Sequence, residues 1–158
     1  MISASNIYLV GPMGVGKTTV GKALAKSLGM DFIDSDQKIE DRTGVSISTI
    51  FDIEGEEGFR KREAQMIFEL VQKKNIVLAT GGGAVAREDV RKVMRHNGLV
   101  IYLHATVEML VERTRSSKNR PLLNSDKEPR EVLESLMQER EPLYRAEADI
   151  VFETDSRS

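Results

Sequence analysis

The strongest constraint on the fold of this chain is a glycine-rich loop that joins a strand to a helix. Residues 11–18 read GPMGVGKT, which matches the phosphate-binding pattern G-x-x-x-x-G-K-[ST]. The apolar run at 7–10 predicts a buried strand before this phosphate loop, and residues 19–28 predict a helix after it. This context disfavours the alternative, a glycine-rich turn that matches by chance. We therefore predict a phosphate site at the first strand–helix junction.

The chemistry of such a loop follows from its backbone. Glycines allow several N–H groups to point into one concavity, and the positive end of the next helix adds to the field that attracts phosphate. Lys17 can reach the outer phosphates as a point charge, and the hydroxyl of Thr18 is placed to hold Mg²⁺. On this basis alone the loop predicts a nucleotide-binding protein.

Composition excludes several classes of function. The chain has 158 residues, enough for one domain with one core, and a net charge of −2 with a pI of about 5.8. A general nucleic-acid-binding protein would carry a basic face and a much higher pI, so this composition disfavours that class. The absence of cysteine excludes disulfides and thiolate metal sites. Neither a membrane span nor a signal peptide is visible, so we expect a cytoplasmic protein; it is expected to be a monomer, because no extended apolar stripe is left over.

The remaining pattern alternates short apolar strands with amphipathic helices. Strands are predicted at residues 7–10, 32–33, 76–79, 99–103 and 150–152. Their near-continuous apolar character is typical of a parallel sheet that is covered on both faces. Helices are predicted at residues 19–28, 56–74 and 128–141, and a further helix begins at Asp36. The alternation predicts a single α/β domain over residues 1–158, with helices on both sides of the sheet.

One stretch, residues 115–127, is polar, basic at its start and without helical periodicity. A long loop in a compact domain is often a functional lid. A solvated connector between two helices is the alternative, and this stretch alone leaves both readings open.

Acidic residues follow the second predicted strand. Ligands of an open α/β sheet bind outside the carboxyl ends of the strands, where Asp34 and Asp36 are expected to lie. In an extended segment the side chains of residues i and i+2 point the same way. One of these two carboxylates could therefore lie near Mg²⁺ and the other near an acceptor hydroxyl. The alternative is that Asp36 caps the helix that begins there.

Three glycines and several arginines complete the candidate site. The glycine triplet at 81–83 follows the third strand and lacks side chains, so a ligand could contact its backbone; a simple turn is the alternative. Arg60 and Glu63 lie one helical turn apart, either as a surface ion pair or as an arginine steered by its carboxylate toward an anionic substrate. For Arg120 and Arg140, substrate contact and solvated charge both remain open.

These segments together resemble the shikimate kinases. The motifs that carry the resemblance are GPMGVGKT at 11–18, DSD at 34–36, FDIEGEEGFR at 51–60, ATGGG at 79–83, RPLL at 120–123 and REPLY at 140–144. They cover nearly the whole chain, and the ordered set is far more specific than the phosphate loop alone. The resemblance implies a three-layer P-loop NTPase fold like that of nucleoside monophosphate kinases. Its parallel sheet has five strands in the order 2-3-1-4-5 and helices on both faces.

The resemblance also implies an activity, the transfer of the ATP γ-phosphate to the 3-hydroxyl of shikimate on the way to chorismate and aromatic amino acids. The implied shikimate-binding residues are Asp36, Arg60, Gly81, Gly82, Gly83 and Arg140. Asp36 would contact the hydroxyls of shikimate and the two arginines its carboxylate, while Gly82 would bond the ring through its backbone. The substrate-binding segment would span about 34–63.

The nucleotide side is implied in the same way. The implied ATP-binding residues are Gly14, Val15, Gly16, Lys17, Thr18, Thr19, Arg113, Arg120 and Arg157. Arg113 matches a position near the base, Arg157 one on the adenine side, and Arg120 would close onto the phosphates with a lid at about 115–127. Lys17, Asp36 and Arg120 would be catalytic. Thr18, with Asp34 nearby through water, would hold Mg²⁺.

Shikimate kinases commonly continue into a final helix after the last strand, whereas this chain ends at Ser158. We therefore expect apolar sheet surface to be uncovered at that edge. Two other functions compete with the implied one. A related small-molecule kinase, such as a gluconate kinase, would need a different acceptor pocket. A non-catalytic nucleotide switch would keep Lys17 and Thr18 without needing Asp36 or the lid arginine.

Overall fold

A parallel sheet organises residues 6–114 and 128–154, the parts of the chain that the computed structural model describes. Its strands are β1 (Asn6–Val10), β2 (Asp31–Asp34), β3 (Ile76–Ala79), β4 (Leu99–His104) and β5 (Ile150–Glu153). They lie in the order β2-β3-β1-β4-β5, and each neighbouring pair is parallel. The predicted sheet type and strand order are confirmed.

Helices connect these strands. They are α1 (Lys17–Leu28), α2 (Ser35–Thr43), α3 (Ile47–Leu70), α4 (Glu88–Asn97), α5 (Val107–Thr114) and α6 (Pro129–Glu147), with a short 3₁₀ turn at Ala84–Ala86. Alternate side chains of a strand point to opposite faces of its sheet. Tyr8 of β1 packs with Ile67 of α3 and Met94 of α4, and Leu9 packs on the other face with Leu110 of α5. The fold therefore has the predicted three layers.

The edge of the sheet at β5 differs from its centre. Strands β1 and β3 are covered on both faces as predicted, but Ile150, Val151 and Phe152 of β5 are exposed. Within the described residues β5 pairs only with β4 and forms an edge, so apolar surface lies uncovered there, as expected for this edge. Helix α6 also extends past its predicted end at residue 141, since it continues through Pro142 to Glu147.

Helix α3 contains a break that matters for the site. Gly55, with φ 76° and ψ 176°, interrupts the helical backbone, so the long predicted helix starts just after it. The preceding turns, which the sequence did not predict as helix, begin after Ser46, whose side chain accepts a hydrogen bond from the N–H of Thr49. Glu54 and Arg62 form a salt bridge of 2.7 Å across the break. Side chains from both parts of α3, Phe51 before the break and Arg60 after it, lie at the same end of the sheet.

No helix among the described residues combines the length and the apolar character needed to cross a membrane.

Candidate active site

The phosphate loop connects the end of β1 to the start of α1, as predicted. Gly14 and Gly16 have φ values of 85° and 101°, which side chains rarely tolerate, so glycine is required at both positions. The Nζ of Lys17 donates hydrogen bonds to the carbonyls of Gly11 at 2.6 Å and Pro12 at 2.8 Å. The loop thus curls around the lysine head at the amino end of a helix, the geometry that attracts phosphate.

A pair of oxygen ligands lies beside this loop. The hydroxyl of Thr18 donates to Oδ2 of Asp34, the last residue of β2, at 3.1 Å. The other oxygen, Oδ1, accepts from the N–H groups of Asp36 and Gln37 and caps α2. Among the described residues there is no cluster of three or more His, Cys, Asp or Glu that could hold a metal. Thr18 and Asp34 nevertheless fit Mg²⁺, which prefers a few hard oxygen ligands next to phosphates.

Asp36 occupies a different position from the one that the sequence predicted. It lies inside α2 rather than in an extended segment, and the capping residue is Asp34, so the predicted extended geometry and the predicted cap at Asp36 were both wrong. The half-buried carboxyl has an unpaired Oδ1. Burial, reinforced by the charges of Glu63 and Asp34, raises the pKa of Asp36 to about 7 against the opposing charges of Lys17 and Arg60. A carboxyl with this pKa can exchange a proton near neutral pH.

Arg60 and Glu63 form a buried ion pair, not the surface pair that was one alternative. The Nη1 of Arg60 lies 2.8 Å from Oε1 of Glu63, and the two side chains are 13% and 2% exposed. Burial lowers the pKa of Arg60, but the Glu63 and Glu56 carboxylates outweigh it and raise that pKa overall. Burial raises the pKa of Glu63 despite the charge of Arg60. The pair is therefore largely shielded from water and lies at the edge of the site, with its guanidinium charged.

Helix α6 supplies a second arginine to the site. Arg140 is only 5% exposed, and Tyr144, one turn later, donates from its hydroxyl to the carbonyl of Gly82 at 2.5 Å. The Tyr144 ring stacks on Tyr102 with centroids 4.9 Å apart, and burial raises the pKa of Tyr144 to about 12. The tyrosine therefore stays protonated and fixes the glycine triplet against α6.

These groups meet in one pocket of about 360 Å³ at the carboxyl ends of β1, β2 and β3. The predicted residues that line it are Gly14, Gly16, Lys17, Thr18, Thr19, Asp34, Asp36, Arg60, Gly81, Gly82, Gly83, Arg113 and Arg140. Val15 does not line it, because its side chain is buried beneath the loop. A phosphate loop, a proton-exchanging carboxyl and two guanidinium groups in one open cleft suit phosphoryl transfer to an anionic acceptor.

Comparison with known proteins shows the family of this chain. A family model described as shikimate kinase matches residues 13–158. The whole chain is 55% identical to the shikimate kinase of Histophilus somni, covering 90% of that protein, and 54% identical to that of Shewanella oneidensis, covering 92%. The chain belongs to the shikimate kinase family. It is thus an ATP-dependent kinase, and the predictions of the family and of kinase activity are confirmed.

Solved structures of the family have the same fold. A shikimate kinase from Acinetobacter baumannii in complex with shikimate superposes with a TM-score of 0.94 at 49% identity, over 98% of this chain and 86% of that one. A gluconokinase from Sinorhizobium meliloti reaches a TM-score of 0.58 at 15% identity, over 97% of this chain and 84% of that one. The second likeness shows a shared fold alone, so it lends no support to gluconate as the acceptor.

Of the three arginines that the resemblance assigns to ATP binding, the structure describes only Arg113. Arg113 donates from Nη1 to the carbonyl of Val15 at 2.9 Å and from Nη2 to that of Thr154 at 3.0 Å. It thereby ties the phosphate loop to the chain that follows β5. Arg120, Arg157 and the predicted lid at 115–127 lie outside the described residues.

Sequence reasoning missed several residues in and behind the pocket. Tyr144, which bonds the lining residue Gly82 from behind, lies in the REPLY motif, and its spacing of four from Arg140 would have placed both on one helical face. Ile47, Phe51 and Phe59 line the pocket as an apolar wall. Phe51 and Phe59 bracket the break in α3, and only the fold brings their rings to 5.0 Å from one another.

Proposed function

We propose that this shikimate kinase family member transfers the γ-phosphate of ATP to the 3-hydroxyl of shikimate, giving 3-phosphoshikimate and ADP. One observation carries the proposal: a single pocket joins the phosphate loop to a carboxyl whose pKa is about 7 and to two nearly buried arginines. The binding of shikimate by the Acinetobacter baumannii relative supports the same acceptor.

On the acceptor side, Asp36 orients the hydroxyl and takes its proton as the new O–P bond forms. Its pKa of about 7 leaves a large ionised fraction at neutral pH. Arg60 and Arg140 hold the carboxylate of shikimate, because a planar guanidinium can donate two parallel hydrogen bonds to it. The backbone of Gly81, Gly82 and Gly83 supports the ring.

On the nucleotide side, the N–H groups of residues 14–19 cradle the phosphates and Lys17 offsets their charge. Thr18 and Asp34, whose side chains bond one another beside the loop, would hold Mg²⁺. When bound, the ion supplies further positive charge at the phosphate oxygens. The chain's own part in this chemistry is to position both substrates, which is the main demand of phosphoryl transfer.

Several assignments enter the proposal through the family resemblance. Arg113 lies near the base, Arg157 on the adenine side, and Arg120 reaches the phosphates when a lid at 115–127 closes. Residues 1–158 act as one kinase domain with a substrate-binding segment at about 34–63. We expect this domain to function as a monomer in the cytoplasm.

A coupled assay of ADP release tests the acceptor directly. Purified protein with Mg²⁺-ATP is given shikimate or gluconate at equal concentrations. We expect turnover with shikimate and only background ADP release with gluconate. Equal rates with both acceptors, or ATP binding without shikimate binding in calorimetry, would contradict the proposal.

A further inference from the structure

The glycine triplet at 81–83 is not explained by backbone conformation. None of its three residues lies in the left-handed region that favours glycine, and Gly83 has φ −100° and ψ 7°. Any residue can adopt such angles. The requirement for glycine must come from the space around these positions.

That space is occupied by charged side chains of the protein itself. A Cβ on Gly83 would lie 2.2 Å from Nη2 of Arg60, and a Cβ on Gly81 would lie 2.6 Å from Oε2 of Glu63 and 3.0 Å from Oδ1 of Asp36. Contacts of a real Cβ below 3.0 Å essentially never occur. The buried Arg60–Glu63 pair and the Asp36 carboxyl therefore fill the volume that two side chains would need.

Gly82 is different. A Cβ there would meet the backbone nitrogen of Met13 at 3.3 Å and Nη1 of Arg140 at 3.5 Å, and neither Arg60 nor Glu63 is among its nearest neighbours. These contacts are tight without being forbidden. The three glycines thus face three different sets of atoms.

We propose that Gly81 and Gly83 are positioning residues for the acceptor. Because Gly81 has no side chain, the carboxylates of Glu63 and Asp36 can occupy the space beside it. The guanidinium of Arg60 occupies the space beside Gly83 for the same reason. The inference rests on the proposed function, which assigns Asp36 and Arg60 to shikimate. The obstructing atoms are the ends of side chains, so an added methyl group displaces the guanidinium or the carboxylates before it displaces backbone. Binding of shikimate is impaired, while the phosphate loop keeps its geometry.

A double-mutant cycle between Gly83→Ala and Arg60→Ala tests this role. Steady-state assays give KM for shikimate and for ATP, and thermal denaturation gives the midpoint of each variant. Gly83→Ala alone is expected to raise KM for shikimate about tenfold or more and to leave KM for ATP within about twofold. In the Arg60→Ala background the same change is expected to add less than about twofold, because the clash partner is gone.

Gly82→Ala is the matched comparison, since the same methyl group meets other atoms. Its effect on KM for shikimate is expected to be the same with Arg60 present or absent. Gly81→Ala and Glu63→Ala give a second double-mutant cycle. Gly81→Ala is expected to raise KM for shikimate less in the Glu63→Ala background, because the carboxylate that its methyl group meets is gone.

Each outcome decides between the two claims. If Arg60→Ala leaves KM for shikimate unchanged, the assignment of Arg60 to the carboxylate of shikimate fails. The melting temperatures then test the positioning role by themselves: Gly83→Ala is expected to lower the melting temperature less when Arg60 is absent, and an equal loss with and without Arg60 would contradict that role. If Arg60→Ala does raise KM but Gly83→Ala multiplies it fully, the positioning role is wrong. If Gly83→Ala does not fold, the pair Gly83→Ala/Arg60→Ala is expected to recover folding, and failure to recover overturns the inference.

Discussion

The phosphate loop and the glycine triplet are both glycine-rich and both line one pocket, yet they use glycine for different reasons. Gly14 and Gly16 provide backbone angles that other residues rarely adopt. Gly81 and Gly83 have ordinary angles and provide room for charged side chains. One site is built from main chain, and the other from side chains packed against main chain.

The difference separates two ways of recognising a ligand. Backbone N–H groups and a helix terminus attract phosphate whatever the neighbouring side chains are. The acceptor side depends on Asp36, Arg60 and Arg140, which come from three separate helices, α2, α3 and α6, so their positions depend on the packing of those helices. We therefore expect substitutions on the two sides to affect different kinetic constants.

The largest expected effect is on the acceptor side. Asp36→Asn removes the group that takes the hydroxyl proton, so kcat is expected to fall about 10²–10⁴-fold. Calorimetry is expected to show unchanged ATP binding. Asp41→Asn, at an exposed position on the same helix, is the control and is expected to keep full activity. Unaltered turnover of Asp36→Asn would remove Asp36 from the mechanism.

Lys17→Met tests the nucleotide side. Loss of the charge that stabilises the transferring phosphate is expected to lower kcat about 10²–10³-fold. Shikimate binding, measured by calorimetry without nucleotide, is expected to persist. Lys22→Met, on the exposed face of α1, serves as the control. A variant that lost shikimate affinity as strongly as activity would break the separation of the two sides.

Arg60→Ala is expected to weaken shikimate binding by roughly 1.5–3 kcal/mol, the usual contribution of a charged hydrogen bond. Steady-state kinetics would show this as a raised KM for shikimate with KM for ATP unchanged. Arg62→Ala breaks the more exposed bridge to Glu54 on the same helix and is expected to leave both constants as they are. If the two variants behaved alike, helix damage and not ligand contact would explain the result.

The pH profile gives a smaller and more specific effect. Because the raised pKa of Asp36 is about 7, kcat/KM for shikimate is expected to rise as the pH increases through that value and the carboxyl loses its proton. Glu63→Gln removes a charge that raises this pKa, so the acidic limb is expected to move to lower pH. Glu56→Gln, which neutralises the exposed partner of Arg60, is the control. An acidic limb that stays near 7 in Glu63→Gln would exclude coupling between the two carboxyls.

The smallest effect concerns a buried carboxyl outside the pocket. Burial raises the pKa of Glu147 to about 7, against the opposing charges of Arg95 and Arg91. A folded pKa above the unfolded value gives stability that is full below the unfolded pKa and is lost as the pH rises through about 7. Glu147→Gln is therefore expected to flatten the fall in melting temperature between pH 5 and 8, by about 2–4 °C for each kcal/mol.

Activity is expected to be unchanged in Glu147→Gln, and Glu139→Gln on the exposed face of α6 is expected to alter neither property. Loss of activity in Glu147→Gln would show that buried carboxyls affect catalysis through the fold in general. The special position of Asp36 and Glu63 would then no longer follow from the comparison.

Much of the fold was predictable because its signals are local. Apolar runs identified the strands, and the spacing of Phe59, Met66 and Ile67 identified the buried face of α3. The exposure of β5 was not predictable from the run itself, since an edge strand and a central strand can have the same composition. The continuation of α6 through Pro142 was missed because proline normally ends a helical pattern.

The amino-acid sequence by itself determined the phosphate loop and the family, because loop geometry and motif order depend on neighbours along the chain. Only the tertiary structure decided that the Arg60–Glu63 pair is buried and that Tyr144 bonds Gly82. The burial depends on the exclusion of water by neighbouring elements, and the Tyr144 bond depends on the distance between two separate elements. A pKa near 7 at Asp36 arises for the same reason.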